Sequence, residues 1–225
     1  MRSFVDLSEA KETASAFLCV LAGFDAIVID VRQNGGGNTP MVAHIASYFF
    51  GPKPVHLTDM YWRDQNRTIE LWTSENVVGR RSAGQDLFIL VGPSTFSAAE
   101  HFCYSLQQLN RATIVGEKTG GGAHVGRGLQ RLSPLFTSFI PTGQSLNPIT
   151  KSNWENVGRC GSGCRKINTN YRRSAYRDRR ASANRTPNAD HLPFSIRQTR
   201  TGSEREPATE RDRAAQRSRF VIACC

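Results

Sequence analysis

Hydrophobic positions fall into two alternating spacings along the first 158 residues. Ala10, Ala14, Phe17, Leu18 and Leu21 recur at helical intervals, so residues 7–22 are predicted as an amphipathic helix. Asp6 with Glu9 three places later resembles a capping box at its start, and Gly23 closes it. Asp25 to Val31 is a nearly unbroken apolar run rich in β-branched residues, the pattern of a strand buried on both faces. It ends in Asn34-Gly35-Gly36-Gly37, and Pro40 opens a second helix that runs to about Phe50. Gly51-Pro52-Lys53-Pro54 breaks that helix. Strands are expected at residues 55–62 and 68–73, a polar loop over 74–86, and another buried strand over residues 87–91. A tight link from Gly92 to Phe96 leads into a helix from Ser97 to about Leu109, whose Ala99, Phe102, Cys103, Leu106 and Leu109 keep the 3.6-residue period. A strand at 112–115, a glycine-rich loop over 116–128 and strands at 129–132 and 137–140 complete the pattern. Strands alternating with helices predict an α/β layer fold.

After Gly158 the pattern stops: from Arg159 to Arg219 no periodicity is sustained, and the composition is that of a disordered segment. Charge divides at the same place. The chain of 225 residues carries a formal charge of +10. Residues 159–225 hold 16 basic and 6 acidic side chains, whereas residues 1–158 hold 13 of each. The chain is therefore a neutral body, residues 1–158, with a basic low-order tail, residues 159–225, and nucleic acid is not expected as its partner. A reading-frame change in the coding sequence would produce such a switch at one point, with a genuine basic tail as the alternative. Cys19 and Cys103 sit in apolar stretches and read as buried free thiols. Cys160, Cys164, Cys224 and Cys225 lie in the tail without the spacing of a zinc site, so no metal and no cofactor is expected. No apolar run reaches the roughly 18–20 residues of a membrane span, and the charges at Asp6, Glu9, Lys11 and Glu12 interrupt any signal-peptide core.

Two features could carry chemistry. Ser97 falls where a strand, a tight turn and the first turn of a helix meet, the place where unpaired backbone N–H groups and the positive helix end face outward. A nucleophile there has oxyanion donors supplied by the backbone, although a plain N-cap gives the same pattern. The glycines Gly35–Gly37 after a buried strand let backbone N–H groups approach a ligand, or simply form a flexible turn. They lack the spacing of a Walker loop or a dinucleotide fingerprint.

Taken together, these residues resemble a known family. Ile29-Asp30-Val31-Arg32-Gln33-Asn34-Gly35-Gly36-Gly37 resembles the strand and glycine loop of the carboxy-terminal-processing (tail-specific) serine proteases. Thr95-Phe96-Ser97-Ala98-Ala99-Glu100 is similar to their nucleophile segment, and Ile114-Val115-Gly116-Glu117-Lys118-Thr119 with Gly120-Gly121-Gly122-Ala123-His124 to the segment after it. Phe139-Ile140-Pro141-Thr142-Gly143, Asn147-Pro148-Ile149-Thr150 and Asn153-Trp154-Glu155 fit the branch shared with interphotoreceptor retinoid-binding protein and the tricorn protease core. The resemblance covers residues 6–158. It implies a ClpP/crotonase-like α/β superhelix of strand pairs and helices. It also implies Ser97 as the acyl-accepting nucleophile, an oxyanion hole from the Ala98 N–H and a glycine N–H at Gly36 or Gly37, and Glu155 as the acid that orients a serine–histidine pair.

The general base is where the chain departs from the family. Processing proteases place a lysine in a Phe-Gly-Lys-Gly segment after the threonine; here Thr119 is followed by Gly120-Gly121-Gly122-Ala123, with a glycine where the lysine would stand. Tricorn-type members take a histidine from a region expected upstream of residue 1. Of the local histidines, His101 shares a helix face with Ser97 and reads as a helix-surface residue, and His124 reads as site-lining. The resemblance thus implies a serine-type peptidase acting on a peptide or protein, weak or inactive as this chain. The alternative is a non-catalytic module of the same fold that binds an apolar ligand, a retinoid or fatty acid.

Overall fold

The structure is a computed structural model that describes residues 1–158 and 220–223. Its elements run in the order α1 (Leu7–Leu21), β1 (Ala26–Asp30), α2 (Thr39–Ser47), β2 (His56–Trp62), β3 (Arg67–Trp72), β4 (Asp86–Val91), α3 (Ala98–Gln108), β5 (Thr113–Gly116), β6 (His124–Val125), β7 (Leu129–Arg131), β8 (Thr137–Phe139), β9 (Gly143–Leu146) and β10 (Phe220–Ala223). The described residues form an α/β arrangement of one parallel sheet, β10-β1-β4-β5, one antiparallel sheet, β3-β2-β9-β6, and the hairpin β7-β8. None of the described helices is long and apolar enough to cross a membrane.

Local chemistry explains the boundaries. Asp6 caps α1 by accepting the Ser8 N–H at 2.9 Å, and Asn38 caps α2 by accepting the Met41 N–H at 3.1 Å. Asn38 also donates to Asp6 at 3.0 Å, so the two helix starts are tied together. The apolar stripes of the helices and one face of the parallel sheet make a single core. It contains Leu18 and Leu21 of α1, Met41, Val42 and Ile45 of α2, and Phe102, Cys103 and Leu106 of α3, against Ile27, Ile29, Leu87 and Ile89. Each large apolar side chain buried this way contributes about 1.5–3 kcal/mol relative to exposure.

Three expectations are corrected. The strands β1 and β4 were expected to be buried on both faces, but Val28, Phe88 and Leu90 are only half-buried, because the described helices cover the opposite face. Cys19 is half-buried rather than buried, its thiol donating to the Val78 carbonyl at 3.0 Å. Two short strands, β6 within the glycine-rich loop and β9, were not foreseen; Gly143-Gln144-Ser145-Leu146 lacks the β-branched run that marks a strand and is recruited by pairing with β2. The expectation of a low-order tail lies outside the described residues, apart from Phe220–Ala223, which pair in parallel with β1. The reading of Cys160, Cys164, Cys224 and Cys225 lies outside them entirely.

Candidate active site

Two strand ends build the site. The link from β4 to α3 is clamped by Thr95, buried, whose hydroxyl donates to the Val31 carbonyl at 2.8 Å and accepts the Gly92 N–H at 3.0 Å. Phe96 N–H donates to the Asn34 carbonyl at 3.0 Å, fastening the β4–α3 link to the loop after β1. Ser97 then adopts φ 52° and ψ −118°, a backbone conformation that L residues resist, and directly precedes the first residue of α3. The result is a sharp strand-to-helix turn that places Ser97 at the positive end of α3, a geometry that could present a nucleophile.

The Asn34–Gly37 loop lies against this turn. Gly36 has φ +108°, and a methyl group there would meet Ser97 Cβ at 2.8 Å, the Phe96 carbonyl oxygen at 3.0 Å and the Ala98 nitrogen at 3.1 Å. Gly37 has φ +132°, and a side chain on it would collide with the Phe4 backbone, which bridges this loop by accepting the Asn38 N–H and donating to the Gly36 carbonyl. The Gly36 N–H itself donates to Asn34 Oδ1 at 2.9 Å, so as an oxyanion donor it is already engaged. The bridge at Gly37 does not use the Gly37 N–H, and the Ala98 N–H, in the first turn of α3, has no carbonyl one turn back within the helix.

Glu155 meets its expected neighbours only in part. Its Oε2 accepts the N–H groups of Ala123 and His124 at 2.5 and 2.9 Å, and its Oε1 lies 3.8 Å from His124 Nδ1. The carboxylate therefore faces a histidine, but that histidine is His124. His124 lines an open cleft with Tyr61, Arg63, Thr142 and Gln144. His101 is not on the helix surface: it is 2% exposed, its ring stacked on Trp154 at 3° and 6.0 Å between centroids. The expectation failed because the face of α3 bearing His101 is covered by the Trp154 segment, which lies 53 residues further along the chain. Burial holds its pKa down at about 4, and its Nε2 has no hydrogen-bond partner among the described residues. No side-chain base among the described residues is hydrogen-bonded to the Ser97 hydroxyl.

Two residues of the site were missed. Glu100, fully buried, accepts the Ser97 N–H at 2.9 Å and also holds the loop of Gly121 and Gly122. The signal was present, since Ser97-Ala98-Ala99-Glu100 has the spacing of a capping box. Asn34, also fully buried, shapes the glycine loop, and no local pattern distinguishes it from an ordinary turn residue.

Residues 1–158 match the family model of peptidase family S41. The chain belongs to that family. Over 99 residues the S41 chain is 32% identical to the carboxyl-terminal-processing protease of Synechocystis sp. and 33% identical to that of Picosynechococcus sp., in each case over 44% of its own length and 22% of the relative's. It thus spans about a fifth of the length of these curated relatives. Among solved structures, the photosystem II D1 C-terminal processing protease aligns with TM-score 0.54 at 21% identity, over 69% of this chain and 38% of that one. A lipoprotein from Streptococcus agalactiae gives 0.55 at 18% over 77% and 62%, and mature CPAF 0.55 at 15% over 71% and 44%. At such identities the likeness speaks for the fold, and the fold is that of S41 proteases.

Gly122 stands at the third place after Thr119, the place that the resemblance gives to the lysine of the processing proteases. A side chain on Gly122 would begin 2.2 Å from Phe96 Cζ, and one on Gly120 2.6 Å from Phe96 Cδ2. The Phe96 ring, 45% exposed, occupies the space that a lysine stem would need.

Proposed function

We propose that this chain is the serine-peptidase part of an S41 enzyme and that Ser97 is its nucleophile, acting on peptide or protein substrates. The observation that supports this most is the turn at Ser97, held at φ 52° with Gly36 packed against it. In this reading the Ser97 oxygen attacks the scissile carbonyl, its proton passes to a base and then to the leaving amine, and an ester to Ser97 forms. Water then hydrolyses the ester and frees Ser97. The oxyanion of each tetrahedral intermediate would be held by the Ala98 N–H and a glycine N–H, where the dipole of α3 also favours negative charge. Gly37 is available for that second bond, and Gly36 only if Asn34 releases it. Among the described residues no base is hydrogen-bonded to the Ser97 hydroxyl, so in this reading residues 1–158 by themselves would be weak or inactive. The names of the cyanobacterial relatives favour cleavage towards the C-terminal end of the substrate.

A fluorophosphonate probe tests this directly. Covalent capture at Ser97, abolished by Ser97→Ala, is the expected result. Absence of capture on prolonged exposure, together with saturable retinol or fatty-acid fluorescence, would instead make the chain a non-catalytic module for an apolar ligand.

A further inference from the structure

We infer that Glu100 is the positioning residue of this site, locking the Ser97 turn and the Gly121–Gly122 loop into one unit; this rests on the reading of Ser97 as nucleophile. Glu100 has 0% exposure and forms no ion pair among the described residues. A carboxylate removed from water is unfavourable unless its oxygens find donors, and as a pure contribution to the core an apolar residue would serve better. Here every acceptor position is used. Oε1 accepts the Thr119 hydroxyl at 2.5 Å and the Gly121 N–H at 2.7 Å, and Oε2 accepts the N–H groups of Ser97 and Gly122, both at 2.9 Å.

The direction of these bonds is what points to function. One oxygen atom joins the amide of the nucleophile to the amide of the facing loop. The bond to Ser97 also holds that residue at φ 52°, from which it would otherwise relax, and occupies its N–H, leaving the next amide, that of Ala98, to face a substrate oxyanion. The loop is fixed from its other end in the same way, because the two following amides, of Ala123 and His124, both donate to Glu155. Four successive amides thus end on two carboxylates, and Glu100 is the one that reaches the nucleophile.

Glu100→Gln tests this in the full chain, because its NH₂ group would face N–H donors at one of the two oxygen positions. Amide hydrogen exchange at Gly121 and Gly122 is expected to rise by about tenfold or more. The first-order rate constant for fluorophosphonate capture of Ser97 is expected to fall by about tenfold or more, with the probe's apparent binding constant unchanged. Unchanged exchange, or an unchanged capture constant, would overturn the inference. Should Glu100→Gln fail to fold, Thr119→Val removes one donor and keeps the carboxylate, while Thr119→Ser restores that donor. Slower capture in the valine variant with recovery in the serine variant supports the inference, and equal rates in the two would overturn it. If the parent chain shows no capture at Ser97, the nucleophile reading falls by itself, and the exchange measurement still decides whether Glu100 holds the turn to the loop.

Discussion

Gly36 and Gly35 are neighbours with opposite demands. At Gly36 a methyl group would meet Ser97 Cβ and two backbone atoms while holding φ +108°, whereas at Gly35 nothing lies within 4 Å. Gly36→Ala is therefore expected to cost about 1–3 kcal/mol of stability and to abolish probe capture, and Gly35→Ala to stay within about 0.5 kcal/mol of the parent. Chemical denaturation of the two variants checks this, and equal stabilities would mean that the loop does not press on Ser97. His101 supplies a second measurement at this scale. Burial lowers its pKa from 6.5 to about 4, so between these values the unfolded chain binds the proton and the folded chain does not. The associated stability is present in full above pH 6.5 and is lost as pH falls towards 4, by about 3 kcal/mol in all. His101→Gln is expected to flatten the profile in that window. A slope unchanged by the substitution would assign the acid sensitivity to other groups. His101 also marks the limit of local reading: its place on α3 was legible, but the Trp154 ring that buries it arrives from 53 residues away.

Elements were legible wherever the sequence carries its own periodicity and breakers. The helices and the long strands came out within one to three residues because Asp6, Pro40, Gly23 and the Gly51-Pro52 break are local signals. The strands β6 and β9 carry no such signal and exist because β2 offers them a partner edge. The packing of Phe96, in the β4–α3 link, against Gly120 and Gly122 was equally hidden, and it yields a further prediction. Gly122→Lys alone is expected to cost about 1–3 kcal/mol, since its stem starts inside the Phe96 ring. Combined with Phe96→Ala, the lysine has room beside Ser97, and probe capture near pH 8 is expected to exceed that of the parent by about tenfold or more. Full stability of Gly122→Lys with Phe96 intact would show that the ring moves aside freely and does not close that position.

At the scale of the molecule, the proposed nucleophile Ser97 and the amides around it have no hydrogen-bonded side-chain base among the described residues. A serine hydroxyl is almost wholly protonated near neutral pH, and general-base assistance is worth about 10²–10⁴-fold in rate. Gly122 cannot supply that base, His101 is buried away with its pKa at about 4, and Glu155 directs its carboxylate at His124. Of the two candidate histidines, His101 and His124, it is His124 that faces a carboxylate, and that carboxylate is itself fixed on two amides. Two sources of the base make different predictions. If it lies upstream, as the resemblance to tricorn-type members implies, the chain alone turns over peptides poorly. Appending an upstream segment with the family's histidine then raises kcat by about 10²-fold or more, and Ser97→Ala abolishes the gain. His124→Ala leaves the low activity of the chain alone unaltered in that case. If instead the chain alone is active and His124→Ala removes its activity while preserving probe binding, the Glu155–His124 pair must be promoted to the base of this site, and the upstream source is excluded.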